Sequence, residues 1–177
     1  MSTTSQTRPR VVLVGPMGAG KSTVGRLLAD AWGIDFRDTD ADVEAAAGRS
    51  VSDIFVESGE ATFRALERDA VAVALTEHDG VLALGGGAVL DPETRARLAG
   101  HRVVFLRVGL SDAASRVGLG VSRPLLLGNI RGRIKQLLDE RTPVYESVAA
   151  HTVDTNGCPA EEVARVVRAW VEEEIDG

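Results

Sequence analysis

The chain has 177 residues, 44% of them hydrophobic and 26% charged, a balance that suits one globular domain with a proper core. Its net charge is −6, from 20 cations against 26 acids, with no dense Lys/Arg block, which argues against a nucleic-acid binder. No apolar run approaches the ~18 residues that would span a membrane. A single cysteine, Cys158, excludes an internal disulfide framework and suits the cytoplasm; it is read as an ordinary structural thiol.

The opening "MSTTSQTRPR" is polar and lacks the apolar centre of a signal peptide, so residues 1–9 are expected to be a disordered tail. "RVVLVG" at 10–15 is a short β-branched run closed by Gly, the mark of a buried parallel strand. "KSTVGRLLADAWG" spaces Val24, Leu27, Leu28 and Ala31 as a helix and stops at Gly33. A second strand is expected over 34–38, then several helices broken at Gly48 and Gly59, with Ser52 and Ser58 at N-cap positions.

"GVLALGGG" at 80–87 reads as the third strand, and "DPETRARLAG" as a helix capped by Asp91 with Pro92 at its first position. "HRVVFLRV" is the fourth strand and "SDAASRVG" a short helix. "LGVSRPLLLGN" at 119–129 has no period and contains Gly and Pro, so a mobile lid is expected over about 118–130. A helix follows, broken or kinked near Pro143, then a fifth strand in "AHTVDT" and a closing amphipathic helix. Alternating strands and helices predict a three-layer α/β/α fold with a central five-stranded parallel sheet, one domain over 1–177.

Gly15, Gly20, Lys21 and Ser22 match G-x-x-x-x-G-K-[ST] between a strand and a helix, the context that gives the match meaning. Gly15, Gly18 and Gly20 let backbone N–H groups turn around an anion, and the helix N-terminus points the same way. Lys21 supplies a point charge for the β- and γ-phosphates, and the Ser22 hydroxyl suits Mg²⁺. The loop predicts nucleoside-triphosphate binding without naming the acceptor.

Three further stretches bear on the acceptor. In "DTD", Asp38 and Asp40 follow the second strand, where open α/β sheets bind ligands. On an extended segment they would point to the same side, one acid serving the metal and the other accepting a proton; equally, Asp40 would cap a helix starting near Ala41. In "LGGGAV", Gly85, Gly86 and Gly87 permit close approach of a ligand or make a plain turn. A GTPase would carry D-x-x-G there, and no acid is present. Arg64, Arg123 and Arg141 are either surface charges or anion grips; Arg123 differs in lying on the expected lid.

Taken in order, "GPMGAGKST", "FRDTD", "GRSVSDIF", "GEATFRALE", "LGGGAV", "RPLL" and "ERTPVYESVA" resemble the shikimate kinase family over about residues 11–172. The lid stretch and "NGCP" at 156–159 match more loosely. The resemblance implies ATP-dependent phosphorylation of the 3-hydroxyl of shikimate, in aromatic amino-acid biosynthesis, on a P-loop kinase fold with a lid and with helices over about 40–75 binding the acceptor. By the same resemblance, Gly15, Gly18, Ala19, Gly20, Lys21, Ser22 and Thr23 bind ATP, and Ser22 and Asp38 hold Mg²⁺. Asp40 is the base and holds the substrate hydroxyls. Arg64 and Arg141 grip the carboxylate beside Gly85, Gly86 and Gly87. Arg123 closes over the phosphates, and Arg116 with the loop Thr155 to Pro159 flanks adenine. A carboxylated polyol needs cations for its carboxylate and an acid for its hydroxyls, so an acidic chain with a cationic pocket is coherent.

Rival readings are a nucleoside monophosphate kinase, which would need aromatics to stack a second base where only 4% of residues are aromatic, and a gluconate kinase, whose acceptor also has a carboxylate and hydroxyls. A non-catalytic ATP-dependent sensor would be expected to lack Lys21, Asp40 or Arg123. A monomer is expected, from charged termini and no evident apolar patch.

Overall fold

The computed structural model describes residues 6–118 and 127–177, with side chains at 117, 118 and 127–130 left aside. Five parallel strands form one sheet in the order β2-β3-β1-β4-β5: β1 (Val11–Val14), β2 (Phe36–Asp38), β3 (Val81–Ala83), β4 (Val103–Arg107) and β5 (His151–Asp154). Val12 aligns with both Leu82 of β3 and Val103 of β4, which puts β1 at the centre. The expected fold class is the one found.

The continuous apolar character of β1 follows from burial on both faces. Val11 and Leu13 pack with Val24 and Leu28 of α1 (Lys21–Trp32) and Val167 and Val171 of α8 (Ala160–Asp176). Val12 and Val14 point the other way, towards Val71 and Leu75 of α4 (Glu60–Glu77) and Tyr145 of α7 (Leu127–Val148). α5 (Pro92–Leu98) joins that second layer through Leu98. A third, smaller core of Val43, Ile54 and Phe63 binds α2 (Thr39–Ala47) and α3 (Val51–Ser58) to α4. No helix of the described residues is long and apolar enough to cross a membrane.

Several local expectations are corrected. Ser50, not Ser52, caps α3 by accepting from the Asp53 amide, and Ser58 is the last residue of α3. The α4 N-cap is Gly59, which supplies no side-chain bond. Leu127 to Asn129, within the expected loop 119–129, belong to α7, so the loop reading is corrected there; residues 119–126 of the expected lid lie outside the described residues. Pro143 does not end that helix. It costs one backbone bond, while the fully buried Tyr145 one half-turn later, packed on Phe105 at 5.0 Å, anchors the helix to the sheet.

Candidate active site

β1 ends at Val14 and the chain enters a loop in which Gly15, Gly18 and Gly20 take φ of 153°, 84° and 91°. A Cβ on Gly15 would stand 2.7 Å from the Leu106 carbonyl oxygen, so β4 leaves room for glycine alone. Gly20 is the α1 N-cap with no side-chain bond, and no acid occupies the first turn. The helix therefore presents bare N–H groups and its positive dipole end to the loop. Ala19 is buried beneath it, with its amide bonded to the Pro16 carbonyl at 3.1 Å.

The Lys21 ammonium donates to the carbonyls of Gly15 (2.6 Å) and Pro16 (3.1 Å). Burial lowers its pKa to about 8, against the opposing charges of Asp40 and Asp38. Those carbonyls hold Nζ in the loop, where a phosphate charge would further favour the ammonium.

Asp38 and Asp40 are not placed as a pair on one extended segment. Asp38 closes β2 and is itself the N-cap of α2, accepting from the Asp40 amide at 2.8 Å through Oδ1. Its Oδ2 accepts from the Ser22 hydroxyl at 3.5 Å. Asp40, in the first helical turn, is thereby released from capping. Its Oδ1 is buried with no hydrogen-bond partner. Burial, then the charge of Asp38, raises the Asp40 pKa, opposed by Lys21. An unpartnered, basic carboxylate oxygen is costly unless something donates to it.

The glycine triplet after β3 lies against these groups. A Cβ on Gly85 would reach within 2.6 Å of Asp40 Oδ1, and one on Gly87 within 2.4 Å of an Arg64 guanidinium nitrogen. Asp40, Arg64, Gly86, Gly87 and Arg141 line a common cavity of about 280 Å³, with Met17 and Phe63 as apolar walls. Thus α2, α4, α7 and the β3 end deliver the expected acceptor residues to one place.

Three further residues support that cavity and escaped the sequence reading. Glu67 is buried and bonded to Arg64 Nη1 at 2.7 Å; burial pushes its carboxyl up, opposed by Arg64. The Thr39 hydroxyl accepts from the Gly85 amide at 3.2 Å. The Tyr145 hydroxyl donates to the Gly86 carbonyl at 2.5 Å. Glu67 lies three residues after Arg64 and Tyr145 four after Arg141, so helical spacing carried a signal for both.

On the other side of the loop, a cavity of about 240 Å³ is lined by Ala19, Gly20, Thr23, Arg116, Thr155 and Cys158, among others. Arg116, from α6 (Leu110–Gly118), donates to the Gly18 carbonyl at 2.8 Å and to the Thr155 carbonyl at 3.2 Å. It bridges the phosphate loop to the turn after β5. Arg123 lies outside the described residues.

A phosphate loop rising from the central strand of an all-parallel sheet, with a free carboxylate facing its lysine, defines a P-loop phosphotransferase. The family model for shikimate kinase matches residues 17–172. The chain is 60% identical to the shikimate kinase of Thermobifida fusca over 160 residues, 90% of this chain and 93% of that one. It is 58% identical to that of Salinispora arenicola over 161 residues, 91% of this chain and 96% of that one. The shikimate kinase of Acinetobacter baumannii, solved in complex with shikimate, superposes with a TM-score of 0.86 at 34% identity, covering 95% of this chain and 94% of that one. The chain belongs to the shikimate kinase family, and it is a kinase.

Proposed function

We propose that this kinase transfers the γ-phosphoryl group of ATP to the 3-hydroxyl of shikimate, with Asp40 as the general base. The observation that carries the reading is Asp40 Oδ1, buried, unpartnered and raised in basicity on the wall shared with Arg64 and Arg141. A substrate hydroxyl donating to Oδ1 satisfies that oxygen and is held where its proton can leave as the O–P bond forms. Arg64, held by Glu67, and Arg141 present guanidinium forks to the acceptor carboxylate. The phosphates lie on the N–H groups of Gly18, Gly20 and the start of α1, with Gly15 and Ala19 shaping the turn and Lys21 neutralising the developing charge. Thr23 and Arg116 border the adenine side.

Mg²⁺ fits the donor set on the loop: one hydroxyl and one carboxylate, both hard oxygens, 3.5 Å apart at Ser22 and Asp38. When bound there with ATP, it would neutralise phosphate charge and orient the transferred group. Asp38 spends its other oxygen on the α2 cap, which fixes the carboxylate plane towards Ser22. We further propose that the enzyme works in the cytoplasm, on its single cysteine, without nucleic-acid partners, on its net charge of −6, and as a monomer, on its charged termini.

The test is ADP release from Mg·ATP across an acceptor panel. Turnover is expected with shikimate and not with gluconate; equal stimulation by gluconate, or none by shikimate, overturns the reading.

A further inference from the structure

The opposite pole of the sheet carries a feature that phosphoryl transfer does not use. Arg8 and Arg10 lead into β1, while His101 and Arg102 lead into β4. Between these entries and the last turns of α4 lies a cavity of about 290 Å³, walled by Ala72, Leu75, Arg8, Arg97 and His101. The site described above gathers at the C-terminal ends of β1, β2 and β3. At ~3.3 Å per residue, the length of β1 alone separates the two by ~13 Å.

Arg37, Arg49, Arg64, Arg68, Arg107, Arg116, Arg165 and Arg168 each have a carboxylate within 4.0 Å. Among the described residues, Arg26, Arg95, Arg131, Arg133 and Arg141 form no such pair, and neither do Arg8, Arg10, Arg97 and Arg102, which are gathered at this one pole. Arg8 donates to the Gly100 carbonyl, and Arg102 Nε to the Arg10 carbonyl at 2.7 Å. These bonds hold the side chains through backbone carbonyls, with no carboxylate within ion-pair distance. His101 Nδ1 is buried with no partner. Burial, then the charges of Arg8 and Arg102, pushes the His101 imidazole below its usual range. Arg8, Arg97 and the unpartnered Nδ1 of His101 thus stand around a hollow with an apolar wall.

We propose that this cavity binds a small organic anion, a carboxylate or phosphate with an apolar flank, held by Arg8, Arg97 and His101. Guanidinium forks match either head group. Leu75 and Ala72 give the flank a surface to cover, and the volume suits a compact ligand, near the lower end of small-molecule sites. The anion also relieves the repulsion that the fold otherwise leaves in place.

The chain has three histidines, His78, His101 and His151, so the His101 ring resonances can be assigned by comparison with His101→Asn. Benzoate and inorganic phosphate, titrated separately into the full chain at constant ionic strength, distinguish the two head groups. Saturable movement of the His101 resonances by either probe, with a Kd of about 1 mM or tighter, is the expected result. Arg97→Gln is expected to weaken it by roughly fivefold or more, through loss of the bidentate grip. Arg8→Gln is the second variant should Arg97→Gln not fold. ADP formation by either variant should stay at the wild-type rate. A linear, unsaturating drift of His101 with both probes overturns the proposal, as does saturation that the arginine variants leave unchanged.

Discussion

The Tyr145 hydroxyl donates to the Gly86 carbonyl at 2.5 Å and so ties α7 to the glycine triplet that ends β3. Arg141 lies one helical turn earlier on α7, and Gly86 and Arg141 line the same cavity. The bond therefore sets the position of a cation against the backbone it faces. Tyr145→Phe keeps the ring packed on Phe105 and removes only the hydroxyl. We expect a loss of ~1 kcal/mol, a fall in Tm of about 2–4 °C, and a larger rise in KM for shikimate than fall in kcat. Thermal melting and steady-state kinetics check both; an unchanged KM would show that the tie does not position the acceptor.

Gly87 is a steric requirement of Arg64. A methyl group there would lie 2.4–2.7 Å from the guanidinium atoms, so Arg64 must move and its bond to Glu67 must stretch. Gly87→Ala should raise KM for shikimate by roughly tenfold, the equivalent of losing one good hydrogen bond to a charged group, while the Kd for ATP stays within about twofold. Equal damage to ATP binding would place Gly87 elsewhere in the mechanism.

Asp40→Asn replaces an acceptor oxygen with a group that cannot take a proton. The variant should retain ATP binding and lose turnover by ~10²-fold or more, the range of a general base. Single-turnover measurement and ATP titration separate the two. Near-wild-type kcat would remove Asp40 as the base.

Asp38 has a cap to one side and Ser22 to the other, and two substitutions divide these duties. Asn caps a helix as well as Asp does, so Asp38→Asn should melt near the wild type yet need more Mg²⁺ for half-maximal rate. Asp38→Ala should lose ~1 kcal/mol besides, for want of the cap. Identical Mg²⁺ requirements in wild type and Asp38→Asn would exclude this carboxylate from the metal.

Lys21 titrates near pH 8 in the free chain because burial disfavours its charge. Phosphates favour the ammonium, so binding ATP should raise that pKa. Above pH 8 the complex then takes up a proton, and affinity falls as pH rises through 8; below that pH the ammonium is already present and affinity is level. Calorimetry at pH 8.5 in two buffers of different ionisation heat measures the uptake. Identical apparent enthalpies would contradict it.

The sheet and the phosphate loop were legible because both are local patterns. β-branched runs closed by glycine mark strands buried on two faces, and G-x-x-x-x-G-K-S fixes a turn whose geometry depends on its own residues. The caps were less legible. Asp38 and Ser50 each cap a helix two residues before the caps expected at Asp40 and Ser52, since a cap depends on where the chain turns and not on residue type alone. Asp40, Arg64, Gly86, Gly87 and Arg141 could be singled out as types, but their convergence on one cavity depends on pairings of distant segments. Thr39 and Tyr145 were missed for that reason: each bonds a glycine already marked through a contact that only the folded chain makes, whereas Glu67, three residues after Arg64 on one helix, carried a local signal. Pro143 misled in the opposite sense, because tertiary anchoring by Tyr145 outweighs a single lost backbone bond.

The strand order β2-β3-β1-β4-β5 has one more consequence. The loop at the end of β1 and the glycines at the end of β3 stand on neighbouring strands, whose separation is set at ~4.8 Å by backbone hydrogen bonds indifferent to side chains. The sheet thus acts as a ruler between donor and acceptor. Residues beyond β2 and β3 are free to be exchanged for others that recognise a different alcohol, while the span between nucleotide and acceptor stays constant. New acceptor specificities can in this way arise on an unaltered nucleotide half, by changes in α2, α3, α4 and the cavity-facing part of α7.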